Sequence, residues 1–294
     1  MWLTGGFMIV EAVGGAFAGS LALIADAAHM LTDAASLGLA WFAFRLTDRP
    51  ADRQRTFGYH RFPVLAAFIN GLALFAIVAW IAYEAVLRLL EPTPVMGATM
   101  AVIAAIGLGV NVLVFAVLHG GDHDNLNLRG AVLHVLGDLL GSVAALTAGG
   151  VILLTGWTPI DPILSLLVAV LVLRSAWYLV RQAGHVLLEG TPEAVDPREV
   201  EREVPVAVVG VEEVHHVHAW SLSPERPMMS LHARATGAVD HDTLVARIKA
   251  FLRNRFGVEH ATLQIEYGEH CIDHEAGPKQ DEAGDDRDPS AAKR

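Results

Sequence analysis

Of the chain's 294 residues, 53% are hydrophobic and only 18% charged, whereas water-soluble domains run nearer ~45–50% and ~25%, so composition excludes a soluble globular protein and points to a multi-span membrane protein. The formal charge of −11 divides unevenly, with 12 acids and 9 bases in residues 1–190 and 20 acids and 12 bases in residues 191–294. The acidity therefore belongs to the C-terminal third, which excludes the basic face a nucleic-acid partner requires. The one cysteine, Cys271, excludes an intrachain disulfide framework and a multi-cysteine zinc site.

Six apolar runs approach or exceed the ~20 residues with which a helix crosses ~30 Å of hydrocarbon: roughly 2–18, 21–44, 62–88, 96–118, 130–155 and 160–182. The first is short and has no cationic leader, so it reads as a helix trimmed at its N-terminus and not as a cleaved signal peptide. Arg45, Arg49, Arg53, Arg55 and Arg61 fall in or beside the link between the second and third runs, while Ala18-Gly19-Ser20 and Gly156-Trp157-Thr158 carry no positive charge. Short cytoplasmic loops collect arginine and lysine. The expected protein is thus multi-pass in the inner (cytoplasmic) membrane, with both termini cytoplasmic.

Beyond about residue 190 the chain changes character. Asp196-Pro197-Arg198-Glu199 supplies an N-cap, a proline at the first helical position and an acid at the third, predicting a helix to about Val206. Alternation predicts strands at about 213–222, 228–236 and 261–267, with Leu263, Ile265 and Tyr267 on one face and Gln264 and Glu266 on the other. Between the last two strands, a helix opens at Asp240, carries Leu244, Ile248, Phe251 and Leu252 on one stripe and stops at Gly257. The sequence therefore predicts a transmembrane domain over 1–186, a small α+β domain of order αββαβ over 187–270, and a disordered acidic tail over 271–294 with almost nothing to bury.

Two of the apolar runs contain the same spacing: His29 and Asp33 in the second, His134 and Asp138 in the fifth. Side chains at i and i+4 share a helix face, so each helix offers one imidazole and one carboxylate to a common point. An ionised side chain at mid-membrane costs ~2.5–3.5 kcal/mol, and two aspartates at that depth require a compensating charge. Two imidazole nitrogens and two carboxylate oxygens form a ligand set that Zn²⁺ accepts in a tetrahedron, and two carboxylates neutralise a divalent ion. The imidazoles favour Zn²⁺, Co²⁺, Ni²⁺ or Cd²⁺ over Mg²⁺, Ca²⁺ and Mn²⁺. Asp26, three residues before His29, is expected to serve helix packing or an access path, and Asn70 and Asn111 to donate hydrogen bonds between helices. No His-Glu-x-x-His motif occurs, which argues against an intramembrane metalloenzyme. A non-transporting sensor would have no need of two mid-membrane aspartates.

These residues carry a resemblance. The run Ser20-Leu21-Ala22-Leu23-Ile24-Ala25-Asp26-Ala27-Ala28-His29-Met30-Leu31-Thr32-Asp33, then Thr56-Phe57-Gly58-Tyr59-His60-Arg61, Asn127-Leu128-Arg129-Gly130-Ala131 ahead of His134 and Asp138, and His218-Ala219-Trp220-Ser221-Leu222 closely resemble the cation diffusion facilitators. The resemblance implies a homodimer of six-helix transporters, each with a cytoplasmic ferredoxin-like domain, exporting a divalent metal, zinc in most members with His and Asp in both helices, in exchange for protons. It implies no cofactor, Zn²⁺ being the substrate and a candidate regulatory ligand. It further implies cytoplasmic ligands at His215, His232, His241 and Glu266, with His216, His218, His270 and Cys271 as accessory candidates. A site that some relatives build between the second and third spans is reduced here to Asp52, Arg55 and Tyr59, so none is expected. The link between the fourth and fifth spans keeps His119 and His123 as a weak metal-presenting pair or a solvated loop.

Overall fold

The computed structural model describes residues 2–119, 126–223, 226–237, 239–268 and 271, the side chains of 2–4, 118–119 and 126–134 excepted. The predicted tail from 272 onward, His123 and His270 lie outside the described residues, as do the side chains of His119 and His134. The chain divides into two compact units, one of which is Met1–Gly190 with a short segment near 222–225, while the other begins at Thr191.

The first unit is helical: α1 (Trp2–Ala18), α2 (Leu21–Thr47), α3 (Phe62–Leu90), α4 (Gly97–His119), α5 (Leu126–Thr155) and α6 (Ile160–Leu187). Local chemistry sets the breaks. Gly19 adopts φ +69°, and Ser20 then caps α2 by accepting the Leu23 N–H at 3.3 Å. Proline in the first turn opens α3, where its missing N–H costs no intrahelical bond.

Four helices among the described residues are long and apolar enough to cross a bilayer: α3, α4 over Gly97–Val117, α5 over Val135–Thr155, and α6. The apolar stretch of α1 is shorter, Gly5–Ala18. At 27 residues α2 has the length, but Asp26, His29, Thr32 and Asp33 interrupt its apolar character. Leu154, Phe17 and Trp177 are 85%, 78% and 60% exposed, an outward apolar surface that suits lipid. The helices pack as α3 against α6, α4 against α5, and α1 against α2 and α4.

Small residues bring α4 and α5 together. A Cβ at Gly149 would sit 2.8 Å from the Ala101 backbone nitrogen, and one at Gly97 would sit 2.9 Å from that of Leu153. Backbone cannot yield as a side chain can, so Gly149→Val must separate the helices. It is expected to cost about 1–3 kcal/mol, read as a lower melting midpoint of the detergent-solubilised protein, while Gly150→Val, where nothing lies within 4 Å, leaves the midpoint in place.

The second unit runs α7 (Pro197–Ala207), β1 (Val211–Ser221), β2 (Pro227–Ala235), α8 (His241–Phe256) and β3 (His260–Glu266). Strand order is β1-β2-β3, with β1 antiparallel and β3 parallel to β2. A helix must therefore cross between β2 and β3, and α8 does so. Val200 and Val204 of α7 and Leu244, Ile248, Leu252 and Phe256 of α8 bury one face of the sheet together with Met229, Leu231, Ala233 and Ala261. Alternation leaves His215, His232, Gln264 and Glu266 on the opposite face. The predicted αββαβ order is observed. Tyr267 is the exception to the predicted alternation: it follows the end of β3 and is 57% exposed, because pairing with β2 stops at Glu266.

Candidate metal centres

The first centre lies in the helical unit. One turn of α2 separates His29 from Asp33, whose Oδ2 is 3.7 Å from His29 Nε2, and α5 brings Asp138 Oδ1 to 3.9 Å from the same nitrogen. A ligand atom from each of the three residues lies within 4.8 Å of the other two. His134 is on α5, one turn before Asp138. A cavity of about 250 Å³ bounded by α1, α2, α4 and α5 reaches Asp33 and Asp138, with Met30, Asn111, Val114 and Val135 in its wall. Asn111 donates across the α4–α5 contact to Ser142 Oγ at 3.1 Å, the interhelical role expected of it, and Asn70 is buried on α3.

Asp26 is 4% exposed and stands against α5, where a Cβ at Gly141 would meet its Oδ1 at 3.1 Å. It shares a hydrogen bond with Glu11 of α1, which is 1% exposed. Glu11 escapes sequence reasoning because a lone acid in an apolar run has no spacing partner.

Asp161, fully buried at the start of α6, also escapes that reasoning. Its Oδ1 accepts the Ser20 hydroxyl at 2.8 Å and the Ala22 N–H at 3.2 Å, its Oδ2 accepts the Leu21 N–H at 2.7 Å, and Arg88 lies 4.0 Å away. Arg88 is tied in turn to Glu84 at 3.0 Å and to the Gly19 carbonyl. The first N–H groups of a helix lack intrahelical partners and carry its positive dipole end. A carboxylate from α6 satisfies both needs and fixes the start of the helix that bears His29 and Asp33.

The second centre lies on the open face of the sheet. His215 and His232 are directly paired across β1 and β2, and Glu266 is diagonal to His232 on β3, within reach of long side chains. Glu266 Oε2 is 3.2 Å from His215 Nε2, its Oε1 is 3.1 Å from His232 Nδ1, and Cys271 Sγ is 3.3 Å from that same nitrogen. A ligand atom from each of the four lies within 4.8 Å of the others. Gln264 donates to Glu266 Oε1 at 3.1 Å and orients it. Burial pushes the Glu266 carboxyl up, but hydrogen bonds from Gln264 and Cys271 and the charges of His215 and His232 outweigh this and hold it below the usual carboxylate range.

His241 does not join this group. It opens α8, is 57% exposed and pairs with Asp242 at 3.3 Å. The apolar stripe of α8 packs on the opposite face of the sheet, and within this chain His241 is not among the residues that converge with Glu266. A bulge in β1 between His215 and His218 places His216 at φ +52°, with its ring stacked 4.7 Å from that of His232 and edge-to-face, at 4.8 Å, with that of the exposed His218.

Between α2 and α3, Asp52 accepts the Gln54 and Arg55 N–H groups at 2.8 and 2.7 Å and the Tyr59 hydroxyl at 3.3 Å. These bonds, the Arg55 amide foremost, hold its carboxyl below the ordinary value, and they engage both oxygens in a turn.

An apolar helix bundle holding a converging set of metal-type ligands, joined to an α/β domain, defines a membrane metal-handling protein. Residues 1–188 match the cation efflux transmembrane domain and residues 198–267 the cation efflux protein cytoplasmic domain; the chain belongs to the cation efflux family, and it is a transporter and not an enzyme. It is 48% identical over 278 residues to "Zinc transporter ZitB" of Pectobacterium atrosepticum, covering 93% of this chain and 87% of that one. Against "Zinc transporter ZitB" of Escherichia coli the identity is 49% over 266 residues, with 90% and 85% covered. With the "Cadmium, cobalt and zinc/H(+)-K(+) antiporter" of Bacillus velezensis it shares 41% over 273 residues, with 91% and 87% covered.

Proposed function

We propose that this chain exports Zn²⁺ from the cytoplasm in exchange for protons by alternating access at His29, Asp33, His134 and Asp138. The convergence of His29 and Asp33 from α2 with Asp138 from α5 carries the reading. The relatives named zinc transporters and the relative named an antiporter support it. Cd²⁺, Co²⁺ and Ni²⁺ fit the same donors.

In the inward-facing state, two neutral imidazoles and two carboxylates capture a divalent ion, and the loaded site is electrically neutral. In the outward-facing state, protons displace the ion and return on the same groups. Histidine suits this exchange because its unperturbed pKa of ~6.5 lies within physiological reach. The cavity beside Asp33 and Asp138 serves as the cation's access path, with Asn111 as a polar group in its wall.

The transport domain spans 1–186 and the cytoplasmic domain 187–270, followed by a tail over 271–294. The protein works as a homodimer in the inner membrane with both termini in the cytoplasm, the orientation the arginines beside α2 and α3 favour. His215, His232 and Glu266 bind a regulatory metal ion. Growth on zinc of a bacterium lacking its zinc exporters tests the reading. Expression of this chain restores growth, whereas a non-transporting sensor leaves the cells sensitive.

A further inference from the structure

We propose that Glu11 of α1, hydrogen-bonded to Asp26 of α2, carries a proton across the membrane in each transport cycle, apart from the four residues that hold the cation. The inference rests on the reading that the protein exchanges a divalent cation for protons at His29, Asp33, His134 and Asp138.

Four observations support it. Glu11 and Asp26 are 1% and 4% exposed and are bonded to each other. An ionised carboxyl group can only accept, so that bond contains a proton. Glu11 Oε2 is buried with no hydrogen-bond partner among the described residues, which leaves it open to a second proton. Glycines make room for the pair: a Cβ at Gly107 of α4 would sit 2.8 Å from Glu11 Oε1, and one at Gly141 of α5 would sit 3.1 Å from Asp26 Oδ1. The cavity that reaches Asp33 and Asp138 also has Met8 in its wall, and Met8 shares a face of α1 with Glu11, three residues further on.

The pair is placed to sense the cation. Asp26 precedes His29 by three residues on α2, and Gly141 follows Asp138 by three on α5, a rise of ~4.5 Å along each helix. α1 packs against α2 and α4; Glu11 is the sole titratable residue of α1, and α4 has none over Gly97–Val117. The charges that act on Glu11 therefore belong to Asp26, His29 and Asp33 on α2 and to His134 and Asp138 on α5, while Asp161 of α6 is engaged by Arg88 at the start of α2. A divalent ion among those residues repels a proton on Glu11, and its departure lets one return.

The exchange balances. Loaded, the pair holds one proton, shared in the Glu11–Asp26 bond, and one negative charge; unloaded, a second proton on Glu11 Oε2 makes it neutral. Only O–H bonds form and break, and a proton taken up on the outer side is released to the cytoplasm when the next ion binds.

Glu11→Gln keeps the length of the side chain and a hydrogen bond to Asp26 but cannot take up or release a proton. In sealed proteoliposomes with zinc and proton fluxes recorded together, it is expected to move zinc with one proton fewer per ion than the wild type, and Glu11→Asp to restore the wild-type ratio. Where Glu11→Gln transports too slowly for a ratio, calorimetric zinc binding to the detergent-solubilised protein in buffers of different protonation enthalpy supplies the count, again one proton fewer released at saturation. An unchanged count in Glu11→Gln overturns the proposal and leaves exchange at the quartet standing. Zinc movement by the wild type without proton movement overturns both.

Discussion

An Asp138→Ala variant is expected to leave a zinc-exporter-deficient bacterium as zinc-sensitive as the empty vector, with the protein still present in the membrane. Asp138 approaches His29 from a different helix, with its Oδ1 at 3.9 Å from the imidazole, and without it the metal loses the α5 carboxylate. Charge balance fails as well, because a divalent ion with one remaining aspartate carries a net positive charge in a medium where such charge is costly. Loss of a group that merely orients a metal ligand typically costs ~10–100-fold in affinity or activity, so removing the ligand itself should lower zinc flux by more than ~100-fold. Thr147→Ala, on the same helix but exposed and bonded only to its own Val143 carbonyl at 2.7 Å, should rescue growth as the wild type does. Equal rescue by Asp138→Ala would remove the residue from the transport site.

The second large effect is structural. Asp161→Ala strips three hydrogen bonds from the start of α2 and leaves Arg88 without the carboxylate 4.0 Å away. Breaking a buried charged pair by removing one partner costs on the order of 3–5 kcal/mol. The variant is expected to accumulate poorly and to melt on the order of 10 °C lower. Asp161→Asn keeps one oxygen acceptor for the helix N-terminus, so its melting midpoint should fall between the two. Flux per folded molecule separates this positioning role from a ligand role. It should recover substantially in Asp161→Asn, and a variant that melts like wild type but carries no zinc would contradict the clamp.

The helical spans were readable because lipid demands long apolar runs, and the ends that moved did so for local reasons. α2 continues to Thr47 through Phe44 and Arg45, and α6 continues to Leu187, since helix-forming residues extend past the apolar core. The His29/Asp33 spacing was readable because helical spacing is local, and α5 brings Asp138 beside it. Glu11 and Asp161 were not: the partners of Asp161 are the Ser20 hydroxyl, 141 residues away, and the Leu21 and Ala22 amides, and no periodicity encodes a contact with another helix's first turn. In the cytoplasmic domain, strand alternation set Glu266 away from the apolar residues of its strand, and strand pairing brings His215 and His232 beside it. It could say nothing of His241, at a helix start, or of Cys271, which returns to the site after the last strand has ended.

The most direct measurement is zinc flux through purified protein in sealed proteoliposomes loaded with a zinc-sensitive dye and given an imposed pH gradient. With the lumen more acidic than the bath, zinc uptake should accelerate and the gradient should collapse in step with the zinc that enters, and both signals should vanish in Asp138→Ala. Zinc uptake at the same rate with and without the gradient, and with no proton movement, would contradict exchange at this site.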